Sequence, residues 1–196
     1  MSRLRRALRR LRRDQTGATI IEFAFVLPVM VLLIMGLGEI LYQEYAQSVL
    51  NGALQKAGRD STIQAADTSV VDNKVMSMVR VVAKSATYTT TRKSYDSFTQ
   101  VAPEPFTDTN GNGVRNSGEC FDDVNDNGTW DADPGSTGQG GASDVTLYTM
   151  TITYPRLFPM AGLLGWSPNA TLSATTLLKN QPYATQTTTT SVPICT

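Results

Sequence analysis

The 196-residue sequence contains no histidine. That absence excludes a Ser-His-Asp triad, His-ligated zinc and His general-base chemistry. Cysteine is nearly as scarce. Cys120 and Cys195 are the only two, too few and too far apart for a zinc cluster, although outside the cytosol they can pair. No nucleophile and base can be matched, so the chain reads as non-catalytic. Basic residues are absent over one long interval, between Arg13 and Lys56. The 17 basic and 17 acidic residues balance overall, but Arg3, Arg5, Arg6, Arg9, Arg10, Arg12 and Arg13 all precede Asp14. Beyond Gly17 the chain holds 10 basic and 16 acidic residues, a net charge of −6. That balance argues against nucleic acid as a partner.

The interval without basic residues contains "IIEFAFVLPVMVLLIMGLGEIL", Ile20 to Leu41. A helix of that length, at about 1.5 Å per residue, spans the roughly 30 Å hydrocarbon core of a bilayer. The arginine cluster then marks the cytoplasmic side, and the rest of the chain is expected outside. Three readings compete: a plain amino-terminal anchor, a secretory signal peptide cut near Gly36–Gly38, or processing after Gly17. Glu22 favours the third. A carboxylate inside an apolar segment is costly unless it has a partner. A cut after Gly17 makes Ala18 the new amino terminus, four residues from Glu22. The α-amino group of one chain then neutralises Glu22 of its neighbour when subunits pack side by side. The bland alternative is a Glu22 hydrated among the headgroups.

The stretch "GATIIEFAFVLPVMVLLIMGLGEILYQEYAQSVLNGALQKAGR" resembles the TadE-like family, the pseudopilins or minor pilins of tight-adherence (Flp-type) pilus systems. The family's opening motif falls on Gly17, Ala18, Glu22 and Phe23, and Pro28 within the apolar run also fits. The resemblance is close over residues 12–60 and returns weakly at "LSATTLLKNQPY" (Leu172 to Tyr183). It does not cover residues 86–143. It implies a non-catalytic subunit cut by a prepilin peptidase, held in the bacterial inner membrane, and assembled with other pilus subunits through its amino-terminal helix. Glu22 and Phe23 are the expected assembly residues.

Further along, Leu41, Tyr45, Val49 and Leu54 recur near helical spacing, so the membrane helix is expected to continue as an amphipathic stem to about Gly58. Pro28 removes one helical hydrogen bond and is expected to bend it. A second helix is expected over Thr68–Ser85, with Val71, Val75, Met78, Val79 and Val82 on its packed face. One strand is expected near "ATYTTT". "DVTLYTMTITYP" alternates, with Tyr148, Met150, Ile152 and Tyr154 on one face, and "ATLSATTLLK" (Ala170 to Lys179) alternates again. The two are expected to pair antiparallel and pack on the stem. The tail "TQTTTTSVPICT" is low in complexity and expected to be flexible, apart from Cys195.

Two acidic stretches stand out. "DTNGNGVRNSGE" (Asp108 to Glu119) matches the twelve-residue calcium loop. Asp108, Asn110 and Asn112 take its odd positions, Gly113 its sharp turn, Val114 its carbonyl ligand, Asn116 its ninth place and Glu119 its close. "DVNDNGTWDAD" (Asp123 to Asp133) repeats the first half through Asp123, Asn125, Asn127 and Gly128, with Thr129 as the carbonyl position. Its twelfth residue is Pro134, so Asp131 and Asp133 are expected to stand in for the missing glutamate. Three residues separate the stretches, which leaves no room for the helices of a paired EF-hand. The alternative is a pair of solvated Asx turns. Calcium, if bound, is expected to be structural.

The expected fold is α+β. A basic leader (1–17) is removed, a membrane and stem helix (18–60) follows, then an extracytoplasmic antiparallel-sheet domain (61–183) with the acidic loops 108–133, then the Thr-rich tail (184–196). One disulfide, Cys120–Cys195, is expected to tether the tail. The alternative function is a membrane-anchored or secreted calcium-dependent adhesin that enters no filament.

Overall fold

The structure is a computed structural model and describes residues 17–61, 67–158, 161–181, 186 and 189–195. The expected leader, Gly17 apart, lies outside the described residues. In chain order the elements are α1 (Ala18–Ser61), α2 (Thr68–Val79), β1 (Thr87–Tyr95), a 3-10 turn (Phe98–Gln100), β2 (Cys120–Asp123), β3 (Ser136–Thr137), β4 (Val145–Pro155), α3 (Ala161–Leu164), β5 (Asn169–Lys179) and β6 (Val192–Cys195). A long amino-terminal helix followed by a small antiparallel sheet is the expected α+β plan.

α1 is a single 44-residue helix that runs through Pro28 and past Gly36 and Gly38. The stretch Thr19–Arg59 is long and apolar enough to cross a membrane. The chain divides into two compact units, and α1 contributes to both. In the first unit, residues 17–44 are joined by the β4–β5 connection, residues 156–168. Every residue from Thr19 to Ile34 is exposed.

The second unit is built on a sheet of order β3-β1-β4-β5, antiparallel throughout. β4 and β5 pair over their full lengths. Because side chains alternate across a strand, Tyr148, Met150, Ile152 and Tyr154 are buried on one face. On the other, Thr149, Thr151 and Thr153 form hydroxyl pairs with Thr175, Ser173 and Thr171 at 3.0, 3.1 and 3.3 Å. Each large side chain fully buried on this sheet is worth about 1.5–3 kcal/mol. β1 is longer than the short strand expected, pairing with β4 from Thr87 to Tyr95.

The stem half of α1 packs here on a stripe of mostly small residues: Ala46, Leu50, Ala53, Leu54 and Ala57 are buried, whereas Tyr45 is exposed. The expected stripe therefore holds only at Leu54. Small side chains bring a helix close to its neighbour. At Gly58 an added Cβ would stand 2.6 Å from the Leu178 side chain, so glycine is the residue that fits this approach.

α2 starts at Asp67, whose carboxylate accepts the Ser69 N–H at 2.8 Å, the usual N-cap arrangement. It ends at Val79, six residues before the expected Ser85. The β-branched pair Val81–Val82 disfavours further helix, and the Arg80 N–H closes the last turn on the Met76 carbonyl. Met76 rather than Met78 is fully buried. The helix also buries Asp72, which accepts hydrogen bonds from Arg92, Thr90 and the Tyr148 hydroxyl. Arg92 stacks 4.1 Å over the Tyr148 ring. Burial and then the Asp72 charge push the Tyr148 hydroxyl pKa well above its ordinary value. A paired buried carboxylate of this kind locks the helix to the sheet, because removing one partner strands the other charge.

The Thr-rich tail is not free along its described length. Gln186 donates to the Asp96 carbonyl at 2.9 Å and to Asp144 at 3.0 Å. The Thr189 N–H reaches Asp96 at 2.9 Å. The tail then ends in β6, paired with β2, which corrects the expectation of a flexible end.

Candidate functional site

Two regions carry the residues singled out above. The first is the start of α1. Gly17 sits in an exposed turn, and its carbonyl accepts the Ile21 N–H at 3.2 Å. The helix begins at the next residue, Ala18, so the expected cut falls at a helix boundary; the Ala18 side chain lies outside the described residues. Glu22 and Phe23 are exposed on the first turns. Glu22 is the only charged side chain from Gly17 to Gly38.

The second region is the pair of acidic turns. Their backbones repeat position by position. In the first, Asp108 accepts the N–H groups of Gly111, Asn112 and Gly113 at 2.7, 3.2 and 2.7 Å. In the second, Asp123 accepts those of Asn127 and Gly128 at 3.2 and 2.7 Å. Asn112 then accepts the Val114 N–H, and Asn127 the Thr129 N–H. The fourth and sixth residues of both turns are left-handed: Gly111 and Gly113 at φ 72° and 74°, Asp126 and Gly128 at φ 58° and 78°. Asp126 is an uncommon non-glycine residue in that region.

The turns close differently. Glu119, 3 % exposed, accepts the N–H groups of Thr109 and Asn116 at 3.0 and 2.8 Å. These are the second and ninth residues of the first turn. In the second turn the second and ninth residues are Val124 and Asp131. Their N–H groups go to Glu104, at 2.9 and 2.8 Å. Glu104 is 1 % exposed, and its backbone also bonds Asp131 and the Trp130 indole. A glutamate 19 residues before the turn thus occupies the place that Glu119 fills from within.

Asp133, expected in that role, is elsewhere. It pairs with Lys93 of β1 and accepts the Tyr95 hydroxyl at 2.8 Å. Burial raises the Asp133 pKa, but Lys93 and Tyr95 outweigh it and hold the carboxyl below its ordinary value. Burial and Asp133 together push Tyr95 up to about 12. Asp131 accepts the side-chain amides of Asn125 and Asn127 at 2.9 and 2.6 Å, while the Asn125 Oδ1 is enclosed with no partner among the described residues. Asn110 accepts the Asn112 N–H, and the Asn116 amide donates to the Val114 carbonyl. Among the described residues no three acidic or cysteine side chains are arranged to hold a metal by themselves, so amide and carbonyl oxygens would have to complete any such set.

Between the turns lies β2, not a helix, and it pairs with β6 so that Cys120 faces Cys195. The two form the expected disulfide across 75 residues. Backbone N–H donation lowers the pKa of Asp108, chiefly from Gly113, and of Glu119, chiefly from Asn116.

Besides Glu104, a second carboxylate escaped the sequence reading. Glu39, near the far end of the apolar run, is buried and accepts the N–H groups of Leu157 and Phe158 at 3.1 and 3.2 Å, with Arg156 3.4 Å away. Its position inside "GLGEIL" was the available signal, since a carboxylate in an apolar run demands a partner.

No curated protein and no solved structure matches the chain. Residues 17–59, almost the whole of α1, match the family model described as TadE-like protein.

Proposed function

We propose that the chain is a non-catalytic minor subunit of a Tad-type pilus. It is cut after Gly17 by a prepilin peptidase and assembled through α1. The observation that carries this reading is the unbroken exposed helical surface from Thr19 to Ile34, interrupted by a single carboxylate at Glu22. A continuous apolar face of that size marks a membrane or partner contact. Glu22 stands where a neighbour's new α-amino group, four residues back along an identical helix, can neutralise it. The arginine cluster orients the leader to the cytoplasm and the sheet domain outward. Mass spectrometry of the mature amino terminus tests this. A start at Ala18 is expected, lost when Gly17→Leu makes the residue before the cut bulky. A start near Glu39 means a secreted protein, and an intact Met1 a plain anchor.

The same reading gives the acidic turns a structural calcium. The donors suit a hard cation in kind: carboxylates at Asp108, Glu119, Asp123 and Asp131, amides between them, and carbonyls at Val114 and Thr129. Asn125 and Asn127 both turn N–H groups toward Asp131. Rotating the Asn125 amide by half a turn brings its unpartnered Oδ1 to that carboxylate, an arrangement that a cation between the two oxygens makes favourable. Bound there, calcium neutralises the crowded carboxylates and fixes the loop backbone.

A further inference from the structure

The β4–β5 connection has a chemistry that the pilus reading does not use. From Leu157 to Pro168 it carries no charged residue. It is fastened to α1 within the first unit at one level. Glu39 takes the Leu157 and Phe158 N–H groups, and Arg156 bonds both Glu39 and the Ser167 carbonyl. The Phe158 ring lies where a Cβ on Gly38 would come within 2.9 Å of it. The one carboxylate and one guanidinium at this joint are thus paired and largely enclosed. Outside them, Leu157 and Trp166 are each 56 % exposed, and Trp166 lines a cleft with Gly36, Ile40 and Gln43 of the helix.

The level matters. From Thr19 to Glu39 a helix rises about 30 Å, the thickness of the hydrocarbon core. If α1 crosses the bilayer, the connection is held where hydrocarbon gives way to headgroups on the side away from the arginines. That is the depth at which tryptophan is most at home, with its apolar ring in the chains and its N–H toward water. A charged loop at this depth would be repelled. This one has its charges neutralised before it arrives.

We infer that the β4–β5 connection is a membrane-interface foot, with Leu157 and Trp166 entering the outer boundary of a phospholipid bilayer beside α1. The inference rests on the membrane-anchored reading of that helix. It gives the subunit two contacts with the membrane instead of one, which restrains the unit at the end of the span.

The test uses the full chain in phosphatidylethanolamine–phosphatidylglycerol liposomes, with lipids brominated either near the headgroup end or deep in the acyl chains. Shallow bromines are expected to quench part of the tryptophan emission. Trp166→Phe should abolish that quenching and Trp130→Phe should leave it. Phe25→Trp, made on the Trp166→Phe chain, reports the helix itself and should be quenched by the deep bromines. If the Phe25→Trp reporter is quenched but Trp166 is not, the helix is in the membrane and the foot is not; a neighbouring protein then becomes the occupant of that face. If neither is quenched, the membrane reading falls and the inference falls with it. Quenching that survives Trp166→Phe also overturns it.

Discussion

The two acidic turns share a backbone and differ in how they are finished. The first carries its own closing carboxylate, Glu119, twelfth in the loop. The second has Pro134 there and borrows Glu104 from upstream, to the same second- and ninth-residue N–H groups. The difference teaches that a part-buried pair of amide donors sets the requirement, and that any carboxylate able to reach them meets it. N–H groups drawn partly out of water need a protein acceptor. Sequence position is only one way to arrange that.

The comparison breaks most completely at what the turns share. Cys120 ends the first turn's closing segment and opens β2, which leads into the second. Replacing Cys120 and Cys195 by alanine is expected to cost about 4 kcal/mol in the chain-entropy view of a 75-residue closure. It should loosen both turns together. Urea unfolding of the detergent-solubilised chain, with and without reductant, measures the loss. Loosening of one turn alone would mean they are independent.

Removing one closing carboxylate should separate them. Glu104→Ala removes the carboxylate acceptor of the part-buried Val124 and Asp131 N–H groups, at a cost of about 1–3 kcal/mol. Amide hydrogen exchange should accelerate at those two residues and not at Thr109 or Asn116. Glu119→Ala should give the mirror image. Equal effects on all four amides would deny that the glutamates play equivalent parts.

Calcium sharpens the same contrast with a smaller effect. At ten times its dissociation constant it stabilises by about 1.4 kcal/mol. Calorimetry and Trp130 emission on the full chain should detect binding at millimolar calcium, tighter in the first turn. Glu119→Gln should weaken it more than Asp133→Asn, because Asp133 is already held by Lys93 and Tyr95. An absence of heat and of any emission change would leave two solvated Asx turns.

The smallest effect is expected in acid. Asp108 and Glu119 have lowered folded-state pKa values. Their contribution is therefore present above the ordinary carboxylate range and disappears as pH falls through the lowered values, below about pH 4. Exchange at Thr109, Asn116 and Gly113 should rise over that window, in the first turn. Protection unchanged down to about pH 2 would show that N–H donation to these carboxylates contributes nothing.

Much of this was legible from local pattern. The apolar run of α1, the alternation of β4 and β5, and the first turn's full set of residues follow periods that a few neighbouring residues define. The second helix was legible in outline, and Val71, Val75 and Val79 of its expected packed face are buried. Met76 and Asp72 are buried where spacing pointed to Met78 and Val82, and Asp72 is held there by Arg92 and Tyr148 of the sheet. The stem's stripe was misjudged for a related reason. Alanines carry little hydrophobic signal, yet they are what lets α1 approach the sheet at Gly58. β6 left no trace in the Thr-rich tail, since its partner strand is far away in sequence, 75 residues at the Cys120–Cys195 pair.

The sequence by itself determined where the apolar helix lies, which strands alternate, and that two turns repeat. All of these are set by spacing within one element, where geometry is fixed by 3.6- or 2-residue periods. Tertiary structure alone decided that Glu104 closes the second turn, that Asp133 serves Lys93 instead, and that Glu39 meets Arg156 across 117 residues. Each of those choices is a polar group finding its partner. Which partner arrives depends on how the whole chain closes, because a hydrogen bond reads distance in space and takes no account of separation along the chain.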